Sequence, residues 1–255
     1  MRYFLFNCFL ALFFSAISIS QAALNSDDNG LDPGKTGGAF QVAADGSAGY
    51  AIPIKSPPGT AGMQPSVSLS YNSQAPSGTM GPGWSINGYS IITRGPKNLV
   101  TDGAVDGINF NRKDALFLDG IRLIPIDLAS DGSYVEYRKE IDDHTRIRGY
   151  GVADSGHDKF HVWTKGGRIK SFGFSPDSTP RRANGTPILW LCNRIEDTSG
   201  NYLEYKYEQH SGGDYNLLRV NYTGNQGAGV MPYASIRFEY EKLENVQTTQ
   251  GKACR

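Results

Sequence analysis

The chain lacks several things. It has no surplus of charge: 25 Lys and Arg stand against 25 Asp and Glu in 255 residues. A protein that binds a nucleic-acid backbone needs extra cations to displace counterions, so nucleic acid is not an expected partner. Cysteine is scarce, with three residues at 8, 192 and 254. That excludes a disulfide scaffold, and the spacing fits no zinc pattern. No window of helical length carries a sustained apolar stripe at three-four spacing, which argues against a helical fold. Beyond residue 22 no run is apolar enough to cross a bilayer, so no membrane span is expected after that point. Glycine is plentiful instead, at 31 residues, with 13 prolines. Their sum stays below the roughly 25–30% that marks low-complexity chains. With 39% hydrophobic residues, the chain has enough to bury a core.

The one long apolar run lies at the start. Arg2 precedes a run from Phe4 to Ile19, and Ser20 and Ala22 occupy the small-residue positions of a cut before Ala23. This is the pattern of a secretory signal peptide over residues 1–22. The run is shorter than the ~20 apolar residues a membrane anchor needs. The mature chain is therefore expected to be exported, secreted and extracellular. Residues 23–37 are small and polar and read as a flexible leader. Cys192 sits in an apolar, strand-like run and is expected to be a buried free thiol.

From Gly38 onward the pattern is strand, turn, strand. Phe40 and Val42, then Tyr50, Ile52 and Ile54, then Val67, Leu69 and Tyr71 alternate with small or polar residues. Asp45-Gly46 and Pro57-Pro58-Gly59 supply the turns. Pro53 marks an edge strand or a strand end. Leu116–Leu118, Asp119-Gly120 and Ile121–Ile124 form a hairpin pattern, because Asp-Gly suits the tight turn between twisted strands. Further hairpins are expected around Asp131-Gly132, Gly166-Gly167 and Asp197–Asn201, and a last strand on Ile236, Phe238 and Tyr240. The fold class is all-β, built of short antiparallel hairpins, either a shell segment or a β-sandwich-like module.

Candidate chemistry is sparse. Gly30 to Thr36 is one residue short of a phosphate loop and follows no strand. Asn25, Asp27 and Asn29 start like a calcium loop, but the twelfth position is Thr36 rather than Glu. His157 and His161 have zincin spacing, but Gly156 and a strand replace the helix that this metal site needs, so they read as surface histidines. Glu239-Tyr240-Glu241 puts two carboxylates on one strand face, the arrangement ADP-ribosyltransferases use, and such pairs are commonplace on exposed strands. Tyr202, Tyr205 and Tyr207 are alternate aromatics, either core packing or a platform for sugars. No nucleophile elbow is present. No catalytic, cofactor-binding or metal site is assigned, and the chain is not expected to be an enzyme.

An ordered string over residues 38–94 carries a resemblance. It runs Gly38-x-Phe40-x-Val42, Asp45-Gly46, Tyr50-x-Ile52-Pro53-Ile54, and Pro57-Pro58-Gly59-Thr60-Ala61-Gly62-Met63-Gln64-Pro65. It continues with Leu69-Ser70-Tyr71-Asn72-Ser73, Gly78, Gly81-x-Gly83-Trp84, Gly88, Ile91 and Thr93-Arg94. This string resembles the opening of the Salmonella virulence plasmid B protein (SpvB) family, shared with the B components of insecticidal Tc toxin complexes. Downstream, Gly167-Arg168 with Phe172-Gly173, and Arg194-Ile195-x-Asp197-x-x-Gly200-Asn201 with Tyr205-x-Tyr207, resemble Rhs/YD repeats. The resemblance covers about residues 35–245.

It implies a β module over 38–245, with 246–255 as a tail that ends either a truncated fragment of a longer protein or a short stand-alone module. Family members run on into a propeller, more repeats, a self-cleaving core and a variable toxin. The resemblance implies a non-enzymatic, virulence-associated structural role: a segment of a β shell that encloses or delivers a toxin, with other toxin-complex or Rhs-shell chains as partners. The resemblance also leaves room for delivery into a host cytoplasm. The alternatives are a cell-surface or carbohydrate-binding module, or a fragment of an ADP-ribosyltransferase toxin. The expected structural residues are Gly38, Phe40, Tyr50, Pro53, Pro58, Gly59, Gly62, Pro65, Tyr71, Asn72, Gly81, Gly83, Trp84 and Arg94. Tyr50, Tyr71 and Trp84 are expected to anchor the core, and Gly59, Gly62, Gly81 and Gly83 to bend the backbone. A partial shell exposes strand edges, so the chain is expected to need a partner or to be poorly soluble.

Overall fold

The computed structural model describes residues 37–78, 80–151, 154–210 and 212–241. The expected signal peptide, nearly all of the leader, the two loop-like motifs before residue 37, Cys8, Cys254 and the tail lie outside the described residues. Within them the regular secondary structure is almost all strand, and every strand pairing is antiparallel.

Four strands form an open sheet in the order β1-β2-β3-β6: β1 (Ala39–Val42), β2 (Ala48–Ile54), β3 (Val67–Asn72) and β6 (Trp84–Asn87). The short β4 (Ser77–Gly78) and β5 (Gly81–Pro82) make a two-stranded hairpin before β6. Side chains alternate across a strand, so registry fixes the two faces. Ser68, Ser70, Asn72, Ser85 and Asn87 occupy one face, where Asn87 Nδ2 donates to Ser70 Oγ at 2.8 Å. The other face is apolar. Phe40 pairs with Tyr50, Tyr50 with Tyr71, and Tyr71 with Trp84, giving one aromatic row across all four strands. Ile52, Leu69 and Ile86 form the next row.

The second sheet closes on itself. Its first eight strands are β7 (Ile91–Gly95), β8 (Ala115–Leu118), β9 (Ile121–Leu128), β10 (Tyr134–Lys139), β11 (Arg146–Tyr150), β12 (Lys159–Trp163), β13 (Ile169–Phe172) and β14 (Leu189–Glu196). Each pairs with the next. The ring shuts because Leu189–Leu191 of β14 pair with Ile91–Thr93 of β7, while Cys192–Glu196 pair with β13. An eight-stranded barrel has an interior that side chains can just fill. Here Ile92, Leu116, Leu123, Ile147, Phe160, Val162, Phe172 and Trp190 are all buried. Phe160 meets Trp190 edge-on at 4.9 Å.

From β14 the sheet branches into β15 (Asn201–Gln209), β16 (Tyr215–Asn225) and β17 (Ala234–Arg237). The expected last strand is thus shorter than its alternation, and Phe238 and Tyr240 follow its end. Met63 and Val67 from the open-sheet region join the same core as Tyr205, Tyr207, Leu217 and Val220.

The expected turns are where the sequence puts them. Asp119 and Gly120 both take positive φ (51° and 81°), the mirror-image turn that Asp-Gly favours. Asp197 Oδ1 accepts from the backbone N–H groups of Ser199 and Asn201, both at 2.9 Å, and fixes the β14–β15 hairpin. The only helical pieces among the described residues are one turn, Leu99–Asp102, and two 3-10 turns, Thr60–Gly62 and Pro176–Ser178. Cys192 is a buried free thiol, and burial pushes its pKa up to about 12.

Candidate functional site

The fourteen expected structural residues fall mainly on the open sheet and its loops. Gly38 lies against the Tyr50 phenol, leaving no room for a Cβ. Phe40 is 66% exposed on the edge strand. Tyr50, Tyr71 and Trp84 are half-buried, with Tyr71 and Trp84 ring centroids 5.4 Å apart. This corrects the expectation that they anchor the core. Their row lies on a face that is only partly covered, and the fully buried aromatics are Trp190, Tyr205, Tyr222, Phe160 and Phe172. Pro53 pairs with Ser68 but lies past the end of β1, where β2 has a free edge. There its missing N–H costs no ladder bond. Pro58 is exposed and Pro65 is buried. Asn72 is exposed, and its side-chain oxygen accepts from Gln74 N at 2.8 Å.

Gly62, Gly81 and Gly83 do bend the backbone, with φ of 74°, 102° and 76°. Gly59 does not. Its φ is −89°, and its need is space, because a Cβ there would overlap the Met63 carbonyl.

Arg94 is the exception to this placement. It lies on β7 in the closed barrel, shares the parity of Ile92, and is 7% exposed. Its guanidinium donates to four groups: Pro187 O at 3.0 Å, Asn111 O at 2.8 Å, Asp114 Oδ2 at 3.0 Å and Ser155 O at 2.6 Å. It also stacks 5.1 Å from the Trp190 ring. Burial lowers its pKa, and the Asp114 carboxylate opposes that shift. One side chain thus ties β7 to three loops at one end of the barrel. The motif string flagged Arg94 but not Asp114. The signal for a buried pair was a charge at an inward-facing position of an otherwise apolar strand.

Beside it, His157 corrects a second expectation. It is 7% exposed, not a surface residue. Its Nε2 lies 2.7 Å from the Tyr137 hydroxyl and its Nδ1 2.8 Å from the Gly151 carbonyl. The pairing requires Nδ1–H to donate to the carbonyl and Nε2 to accept from the phenol. Burial lowers the His157 pKa and raises that of Tyr137 to about 12. His161 is half-buried and stacks on Phe174 at 4.3 Å. Among the described residues no three His, Cys, Asp or Glu side chains gather as a metal site. Glu239 and Glu241 are exposed beyond the end of β17. Tyr202, Tyr205 and Tyr207 are buried at 5%, 2% and 4% exposure, so they form core and present no platform to sugars. The Tyr207 hydroxyl donates to Cys192 O at 2.6 Å.

The organised surface among the described residues is an edge and a partly covered face. The open sheet leaves Phe40 and Val42 exposed, at 66% and 65%. The fold defines a class: an all-β module in which a filled antiparallel barrel carries an open, apolar-faced sheet. Residues 42–229 match the family model described as Salmonella virulence plasmid 65kDa B protein. The chain belongs to the SpvB family.

Solved structures share the fold. The crystal structure of TcdB2-TccC3 is 20% identical with a TM-score of 0.62, over 84% of this chain and 12% of that one. A Photorhabdus luminescens Tc holotoxin pore is 21% identical with a TM-score of 0.59, over 73% of this chain and 10% of that one. The N-terminal domain of effector protein SpvB from Salmonella typhimurium strain LT2 is 18% identical with a TM-score of 0.51, over 64% of this chain and 60% of that one. The chain thus spans about an eighth of the TcdB2-TccC3 chain. None of the curated proteins compared matches it.

Proposed function

We propose that the chain is a secreted, non-enzymatic wall segment of a toxin-complex assembly, contributing to a β shell that encloses or delivers a toxin. The observation that carries this reading is the contrast between a barrel sealed by its own strands and a sheet whose apolar face is only partly covered and whose edge strand β1 leaves Phe40 and Val42 exposed. Family membership and the likeness to the TcdB2-TccC3 fold support it. Exposed strand edges are templates for pairing with another chain, and proteins that stay monomeric blunt them with charge or Pro. β1 carries Ala39, Phe40, Gln41 and Val42 and no charge. Its partners are other toxin-complex or Rhs-shell chains and not nucleic acid, with no membrane span after signal cleavage. Export follows from the signal-peptide pattern of residues 1–22.

Light scattering coupled to size exclusion tests the reading. The chain from Ala23 onward should associate, and Phe40→Ser should return it toward monomer size. A monomer at all concentrations, unchanged by Phe40→Ser, would refute it. Loss of NAD in the presence of the chain, abolished by Glu241→Gln, would revive the ADP-ribosyltransferase reading.

A further inference from the structure

A cluster of aromatic rings outside the barrel surrounds a cavity of about 170 Å³, lined among others by Trp84, Ile86, Tyr89, Tyr215, Leu217 and Tyr240. A wider cleft of about 640 Å³ shares Tyr89 and Tyr215 with it and adds Asp214 and His210. The rings meet at steep angles. Of the lining rings, Tyr89 and Tyr215 are 85° apart in plane at 6.4 Å, and the core residue Tyr207, which lines neither cavity, meets both edge-on. A sugar ring wants one flat platform. Walls near right angles make a corner, which suits a compact, rounded ligand.

The electrostatics narrow the ligand further. An aromatic face carries negative potential and attracts a cation. Elsewhere the protein satisfies such faces itself: Arg94 stacks on Trp190, Arg146 on Trp163, Arg148 on Tyr134, Lys159 on Phe174 and Arg194 on Tyr202. Among the described residues no Lys or Arg stacks on Trp84, Tyr89, Tyr215 or Tyr240. None lines either cavity. The acid in the cleft wall is Asp214. His210 Nε2 is held 2.9 Å from Asn216 Nδ2 and 3.8 Å from Glu208. Burial raises the pKa of Tyr215 and takes that of Tyr240 up to about 12, so both phenols are neutral at pH 7.

We propose that this aromatic corner binds an organic ammonium ion of the quaternary-ammonium class, with Asp214 supplying the nearby negative charge. The proposal is independent of the shell reading, because it concerns the junction of β6 with β16 and not the β1 edge.

Calorimetric titration of the full chain tests it with choline chloride and with 3,3-dimethyl-1-butanol, the uncharged isostere, at matched ionic strength. Choline should bind at least about tenfold more tightly than the alcohol, since shape and apolar area are shared and only the charge differs. Trp84→Leu and Tyr215→Leu should each weaken choline binding by a similar factor. The comparison of the two ligands uses the unaltered protein, so it decides the matter even if a variant fails to fold. Equal affinity for the alcohol, absence of choline binding, or Trp84-dependent binding of methyl glucoside in place of choline would each overturn the proposal. Co-sedimentation with phosphatidylcholine vesicles, but not phosphatidylglycerol vesicles, would assign the ammonium to a lipid headgroup. Binding of free choline without co-sedimentation would assign it to a soluble ligand.

Discussion

The barrel and the open sheet are made from the same grammar of short antiparallel strands, yet they solve the edge problem in opposite ways. The barrel splits β14 between two neighbours, β7 for Leu189–Leu191 and β13 for Cys192–Glu196, and so leaves no edge in the ring. Its interior is filled with apolar side chains and locked at one end by the Arg94–Asp114 pair. The open sheet has the longer string of family residues but the weaker core, and its aromatic row runs out to an exposed Phe40. The proposed function therefore assigns stability and association to different regions. Most of the motif residues fall on the open sheet and its loops, with Arg94 as the barrel's share.

That division predicts a ranking of effects. Trp190→Ala empties the barrel centre and should cost about 3–5 kcal/mol, read as a large drop in the denaturation midpoint. Arg94→Ala leaves the Asp114 carboxylate buried without its partner and should cost a similar ~3–5 kcal/mol. Asp114→Asn, which keeps an acceptor, should cost less. Next comes Gly83→Ala. Its φ is 76°, and a Cβ would meet Asn72 O and the Tyr71 ring, so about 1–3 kcal/mol is expected. That loss should appear in the open sheet while the barrel stays folded. If Gly83→Ala unfolded both regions together, the two would not be separable.

The third effect depends on pH. Burial, with some help from the Arg94 charge, holds His157 below the ordinary value of 6.5; the Gly151 carbonyl and Asp158 push the other way. The unfolded chain then binds the proton more readily than the folded one. Stability is complete above about 6.5 and falls as pH drops toward the folded-state value, by at most about 1.4 kcal/mol per pH unit for one group. His161 is shifted in the same direction by burial and by Lys159, so it adds to the slope. His157→Gln should flatten the decline measured by denaturation between about pH 6.5 and pH 5. An unchanged slope would remove His157 from the explanation. The smallest stability effect is expected from Phe40→Ser, within about 0.5 kcal/mol, because the side chain is exposed. Its effect on association should be the largest of the set.

Much of the fold was legible in the sequence because its signals are local. Asp119-Gly120, Gly167 and the Asp197–Asn201 turn each encode a hairpin in a few residues, and alternation supplied the strand faces. Closure was not legible. It depends on Ile91–Thr93 meeting Leu189–Leu191, about a hundred residues later, and no short pattern encodes that meeting. The depth of Tyr50, Tyr71 and Trp84 was misjudged for a related reason: large aromatics read as core until the neighbouring layer is known. His157 looked exposed because Gly156 signals a turn. The turn is real, with φ of 98°, but it folds the imidazole inward onto Tyr137.

Hydrogen exchange read by mass spectrometry on the full chain, at low and high protein concentration, tests the division most directly. The account predicts that peptides covering β11 to β13 exchange slowly and identically at both concentrations. Peptides covering β1 and β2 should exchange fast when dilute and slow when concentrated, as the open edge finds a partner. Equal, concentration-independent protection of the two regions would contradict it.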